Sequence, residues 1–141
     1  MNDSYYKKLR DYIYGLDISD VYFTGHIGFD EILAYYKLAD IYLCMSEHEG
    51  FCVPLVEAMF FDVPIVAYDK CAIKYTLGGS GFLLDDNDPL LTAGVINKIV
   101  TNSALRDKLI EGQRTRLKDF GYDTVSAQFI KYLKSFIDSA K

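Results

Sequence analysis

The stretch "SEHEGFCVPLVEAMFFDVPIVAY", residues 46–68, concentrates the groups able to do chemistry. Glu47, His48 and Glu49 precede Gly50. Phe51, Cys52 and Val53 lead into Pro54, and a third carboxylate, Glu57, follows. Gly50 permits a turn that other residues resist, and Pro54 suits the first turn of a helix, where its missing N–H costs nothing. The unpaired amides of residues 51–56 then point out of a helix end carrying partial positive charge, a site for a phosphate or another anion. Glu49 stands at the same mouth. A carboxylate beside an anion needs its own partner, and sugar hydroxyls suit it because an ionised carboxylate is a strong acceptor.

Glu57 admits two readings. It falls one turn inside the helix, where it either binds a ligand or complements the helix dipole as a cap. Glu47 reads as solvated, His48 as a surface histidine and Phe51 as packing. Cys52 has no base paired with it by sequence, so it reads as a small packing residue and not as a nucleophile.

Several segments must position these residues. Helical spacing marks 4–14, ended by Gly15, and 28–40, with Asp30 as its cap. Strand-like runs occupy 21–25, 41–46, 63–68 and 80–86. Residues 54–61 form a short helix opened by Pro54. Helices are expected at 88–102, 103–120 and 122–140, with Ser103, Asp107 and Asp123 as amino-end signals. Alternating strands and helices with continuous apolar strands imply parallel βαβ units covered on both faces. Ligands in such sheets bind beyond the carboxyl ends of the strands. Two loops there stand out, "TGHIGFD" after 21–25 and "SEHEGFCVP" after 41–46.

The 141 residues fit one domain, 1–141, and with half of them hydrophobic they can bury a core. Charges interrupt every apolar run before membrane-spanning length, and the first residues lack the apolar core of a secretory signal. The net charge of −5 and the lack of a basic stripe argue against a nucleic-acid partner. The three cysteines, at no metal-ligand spacing, read as reduced thiols of a cytoplasmic protein. No metal-ligand cluster, and hence no metal, is expected.

"EGFCVPLVE", with Glu49 and Glu57 separated by seven residues, resembles the E-x7-E signature of retaining GT-B glycosyltransferases, family four in particular. The resemblance covers residues 18–120, including "LGGSGFLLDDNDP". It implies a Rossmann-like parallel sheet with flanking helices, an incomplete C-terminal domain of the GT-B fold. The implied substrate is a nucleotide-diphosphate sugar of UDP or GDP type, and no further cofactor is implied. By that resemblance Glu49 is the catalytic position at the donor sugar. The backbone of Gly50, Phe51, Cys52 and Val53 lines the sugar and diphosphate. The amides of Leu55 and Val56 face the phosphates, and Glu57 holds the ribose. Gly25, His26 and Ile27 lie near the base.

Two positions depart from the family pattern. Cys52 stands where glycine is frequent. Tyr75 stands where glutamate is common, leaving Lys70 and Lys74 to neutralise phosphate. The donor domain's first two strands and the N-terminal acceptor domain are absent from the sequence, so the chain reads as part of a larger gene product, inactive alone. Its acceptor, a glycan, lipid or small molecule, would be held by that missing domain. In the full-length enzyme the expected place is the cytoplasm, with peripheral membrane association open.

With those strands absent from a sheet of order 3-2-1-4-5-6, the segment 21–25 is expected either to close onto 41–45 or to be exchanged between two chains, making a homo-oligomer. The competing reading is a non-catalytic α/β nucleotide-binding or partner-subunit module. A receiver-like module is disfavoured because Asp30 and Asp40 do not follow the first strand. The flanks of the E-x7-E motif favour transfer over epimerisation.

Overall fold

The computed structural model describes Asp3–Ser139. The chain divides between Ile32 and Leu33 into two compact units. In the first, α1 (Asp3–Gly15) carries Tyr6, whose ring meets Phe23 edge-on at 5.1 Å. Helix α2 (Phe29–Leu38) begins in this unit and continues into the second. The Gly28 carbonyl accepts the Glu31 and Ile32 amides, while the Gly28 N–H donates to Glu31 Oε2 at 2.9 Å. This reciprocal pairing places the cap at Gly28. The sequence expectation had put it at Asp30, which lies within the first turn.

Residues 21–25 form no strand, contrary to expectation. Val21, Tyr22 and Phe23 are exposed. β-Branched and aromatic residues favour a pleated surface only where a neighbouring strand completes the ladder, and this segment has none among the described residues. The strand on which the expected pairing depends is therefore not formed.

The second unit is built on three parallel strands: β1 (Tyr42–Cys44), β2 (Ile65–Tyr68) and β3 (Phe82–Leu84), in the order β1-β2-β3. Tyr42 pairs with Ile65, and Val66 pairs with Phe82. Central β2 buries Ile65, Val66 and Ala67 completely, as a continuous apolar run should when both faces are covered. Between β1 and β2 runs α3 (Val53–Phe60). Between β2 and β3 runs α4 (Ile73–Leu77), a five-residue helix with no counterpart in the sequence reading.

Then follow α5 (Pro89–Thr101), α6 (Ser103–Leu117), a 3₁₀ turn (Lys118–Phe120) and α7 (Tyr122–Ser139). Residue 140 of the expected last helix lies outside the described residues. Asp123 falls in the first turn of α7, as expected. Val66, Leu84 and Ile99 centre a cluster with Ile41, Met45, Val95 and Leu105.

Helix starts follow local chemistry. Asp88 accepts the Leu90 amide at 2.7 Å ahead of Pro89. Asn102 accepts the Leu105 amide at 3.0 Å and caps α6, a role the sequence reading had given to Ser103.

Gln113 of α6 is fully buried. Its Nε2 donates to the Val63 carbonyl at 2.7 Å, and its Oε1 accepts the Ile65 amide at 3.1 Å. One side chain thus satisfies both backbone groups at the entry to β2, where they would otherwise be buried unpaired.

Candidate functional site

Strands β1 and β2 run parallel, so their carboxyl ends emit loops on the same side of the sheet. The loop after β1 carries Glu47 to Cys52 and ends at α3. The loop after β2 leads into α4. The two are tied together: the Ala72 amide donates to the Glu49 carbonyl at 3.3 Å, and the Cys71 thiol to the Glu47 carbonyl at 3.3 Å. Thr76 Oγ1 donates to the Phe51 carbonyl at 2.5 Å. Phe51 meets Phe120 edge-on at 5.5 Å, which supports its reading as a packing residue. Arg116 holds α4 from behind, donating through Nε to the Thr76 carbonyl at 3.0 Å and through its terminal nitrogen to Tyr75 at 2.6 Å. Gly78, with φ +55, ends α4 against that guanidinium; a Cβ there would lie 2.8 Å from Arg116 Nε.

The turn into α3 depends on Cys52. Its φ of 65 and ψ of 70 are left-handed, a conformation that glycine adopts freely and other residues adopt at a cost of about 1–2 kcal/mol. The sequence reading gave the turn to Gly50, whose φ is not positive. Cys52 is buried, and its Sγ lies 4.0 Å from Cys44 Sγ. Burial first, then the neighbouring Cys44 thiol and Glu49, push the Cys52 thiol up to about 12. It stays protonated at neutral pH, in keeping with its reading as a non-nucleophile.

At the start of α3, the Cys52 and Val53 amides enter no hydrogen bond among the described residues. The Leu55 amide turns back onto the Cys52 carbonyl at 3.0 Å. The sequence reading had it facing outward; it instead closes the first helical turn, and the Leu55 side chain is fully buried. Val56 is half-buried in the same turn. Of the two amides expected to face the phosphates, that of Leu55 is thus engaged, while that of Val56, like those of Cys52 and Val53, enters no hydrogen bond among the described residues and stays open to an anion, supplemented by the helix dipole.

Glu49 is half-buried, and its carboxylate makes no hydrogen bond or ion pair among the described residues. Glu57 differs. It accepts a hydrogen bond from the Tyr36 hydroxyl at 2.9 Å, and that hydroxyl also lies 3.3 Å from the Pro54 carbonyl. Tyr36 stacks on Phe61, with centroids 5.5 Å apart and planes 1° from parallel. Burial first, then the Glu57 hydrogen bond, raise the Tyr36 phenol above its ordinary range, so it remains a donor. Tyr42 is shifted the same way by burial, then by the nearby Cys44, Cys52, Glu49 and Glu57.

Glu47 and His48 are exposed, as expected. His48 Nδ1 lies 2.6 Å from the Glu47 carbonyl. Lys70 and Lys74 lie over the rings of Tyr68 and Tyr75. Gly25, His26 and Ile27 belong to the first unit, where Gly25 is left-handed (φ 64), His26 exposed and Ile27 half-buried.

Sequence reasoning missed Tyr36. Its position on the buried stripe of α2 was legible, but its partner eighteen residues and more away was not. It also missed a cluster. Cysteine spacing carries no ligand signature, yet the fold brings Cys44 Sγ, Cys52 Sγ and a Glu49 carboxylate oxygen within 4.8 Å of one another. The expectation that no ligand cluster exists is thus not met.

These features define a class: a Rossmann-like α/β domain with paired carboxylates around a helix amino end, beyond the carboxyl ends of parallel strands. Residues 2–116 match the glycosyl transferases group 1 family, and the chain belongs to that family.

A serotype-specific mannosyltransferase, WbdA, of Escherichia coli is 25% identical over 128 residues, covering 91% of this chain and 16% of that protein. A D-inositol 3-phosphate glycosyltransferase of Salinispora arenicola is 30% identical over 100 residues, covering 69% of this chain and 22% of the relative. The fold is shared with Anabaena HepE, solved in complex with UDP-glucose (TM-score 0.80, 24% identity, 95% of this chain and 38% of that one). It is shared too with sucrose-phosphate synthase of Thermosynechococcus elongatus (TM-score 0.75, 22% identity, 94% and 34%). The chain thus spans well under half the length of these relatives. The fold is that of the C-terminal, Rossmann-like domain of GT-B glycosyltransferases. Among the described residues, no helix is long and apolar enough to cross a membrane.

Proposed function

We propose that this chain binds the donor of a retaining hexosyl transfer, a nucleotide-diphosphate sugar, with UDP as its nucleotide. The reading rests on one observation: Glu49 and Glu57 flank a helix start whose Cys52 and Val53 amides enter no hydrogen bond among the described residues, and Tyr36 fixes Glu57. The helix end takes the diphosphate. Glu57, oriented by Tyr36, accepts the ribose hydroxyls. Glu49 accepts hydroxyls of the donor sugar and stands at the reacting centre, so its contacts strengthen as the glycosidic bond breaks. Lys70 and Lys74 supply positive charge from the neighbouring loop. The reading of UDP is supported by HepE, which was solved with UDP-glucose. The acceptor lies outside these contacts, and the chain alone is expected to transfer sugar slowly or not at all.

Isothermal calorimetry of the chain with UDP, GDP and their glucose and mannose conjugates tests the reading. Saturable heat with one nucleotide series is expected. Negligible heat with all of them, in a sample folded by circular dichroism, would rule it out.

A further inference from the structure

The cluster of Cys44, Cys52 and Glu49 has a second capacity, separate from sugar recognition. The two sulfurs stand 4.0 Å apart, and all three ligand atoms lie within 4.8 Å of one another. A tetrahedral zinc with Zn–S bonds of about 2.3 Å and a Zn–O bond of about 2.0 Å sets its sulfurs roughly 3.8 Å apart and its sulfur and oxygen roughly 3.5 Å apart. The observed sulfur spacing is close to that value. It is about twice the 2.05 Å of a disulfide, which would require both side chains to move.

The geometry points to a three-ligand site for a thiophilic divalent cation, Zn²⁺ by its chemistry, made by Cys44 Sγ, Cys52 Sγ and the Glu49 carboxylate, with water in the fourth position. The elements that hold the ligands are rigid. Cys44 ends β1 and is buried, and Cys52 is fixed by the left-handed turn into α3. The Glu49 backbone is tied to Ala72. Half-exposed Glu49 gives the cation its way in.

Binding exchanges two thiol protons for one cation. Zn²⁺ enters, two S–H bonds break, two protons leave to solvent, and the already ionised carboxylate completes the set. Occupation withdraws Glu49 from hydroxyl binding, a consequence that rests on the donor reading above; metal binding itself does not.

The test is titration of the reduced chain with Co²⁺, read by its thiolate charge-transfer absorption and by the protons released, followed by displacement with Zn²⁺, all without nucleotide sugar. One Co²⁺ per chain is expected, with a thiolate band that disappears in Cys44→Ala and Cys52→Ala and persists in Cys71→Ser. Co²⁺ uptake by the apo chain is expected to release about two protons, and Zn²⁺ then to displace Co²⁺ without further release, the thiolates being already formed. Glu49→Gln, a change at a half-exposed side chain, covers the case in which a cysteine variant fails to fold: the thiolate band should remain while affinity falls at least tenfold. Absence of the band, its loss in Cys71→Ser, or unchanged affinity in Glu49→Gln would overturn the proposal.

Discussion

Tyr36 donates its hydroxyl to Glu57 across 2.9 Å, joining α2 to α3 at the point where a ribose is proposed to sit. Hydrogen bonds to a charged acceptor contribute about 1.5–3 kcal/mol when removed without a replacement; a half-buried Glu57 that regains water should lose less. Tyr36→Phe is therefore expected to weaken UDP binding by about three- to tenfold while leaving the sugar-dependent increment unchanged. Calorimetry on the variant checks this, and identical affinity would mean that Glu57 is held by other means.

Cys52 gives a prediction in which two substitutions act in opposite directions from their hydrophobicity. Cys52→Gly removes a small buried side chain but relieves the left-handed backbone, so its stability should stay within about 1 kcal/mol of the parent. Cys52→Val keeps the apolar volume, yet a β-branched residue at φ 65 is strongly disfavoured, and a loss of roughly 2 kcal/mol or more is expected. Urea unfolding of both variants separates strain from packing. A more stable Val than Gly variant would show that packing dominates at this turn.

Gln113 serves two backbone groups at the entry to β2. Gln113→Leu fills the same space but leaves the Val63 carbonyl and the Ile65 amide without these partners. It should cost about 2–4 kcal/mol, as two buried polar groups lose their hydrogen bonds. Denaturant unfolding at constant m-value measures this. A loss under about 0.5 kcal/mol would mean that the strand entry repacks or admits water.

Arg114 holds the Asp62 carboxylate with two hydrogen bonds of 2.7 Å. The hydrogen bond first, then the charge of Arg114, lower the Asp62 pKa below its ordinary value of 3.8. The folded value lies below the unfolded one, so the contribution is present above pH 3.8 and lost as pH falls through the folded value. Both partners are largely exposed, so the effect is small. The stability difference between the parent and Asp62→Asn should shrink as pH drops from 6 through and below 3.8. A gap that widens toward low pH would contradict the assignment.

Much of the second unit was legible because its apolar periods and strand runs agree with its packing. Tyr42, Val66 and Leu83 fall within the expected strands, and α5 and α6 follow their apolar spacing. The family resemblance was legible around Glu49 and Glu57 because that stretch is local in sequence. What failed depended on partners. Residues 21–25 have strand propensity but no ladder. Helix α4 follows Ala72, which makes no side-chain cap hydrogen bond; Thr76 and Arg116 hold it instead, by contacts forty residues apart in the case of Arg116. The turn was assigned to Gly50 on residue type, whereas the backbone places the left-handed residue at Cys52, under the constraint of its burial beside Cys44. Tyr36 and the thiol–carboxylate cluster escaped for the same reason, since their members meet only once α2, β1 and α3 are packed.

The division of labour between the two carboxylates is tested most directly by titrating Glu49→Ala and Glu57→Ala chains with both UDP and UDP-sugar in one calorimetric series. Glu57→Ala should weaken both ligands by a similar factor, about tenfold, since the ribose is common to them. Glu49→Ala should leave UDP affinity nearly unchanged and abolish the extra affinity that the sugar confers. Equal losses for both ligands in Glu49→Ala, or undisturbed UDP binding in Glu57→Ala, would contradict the account.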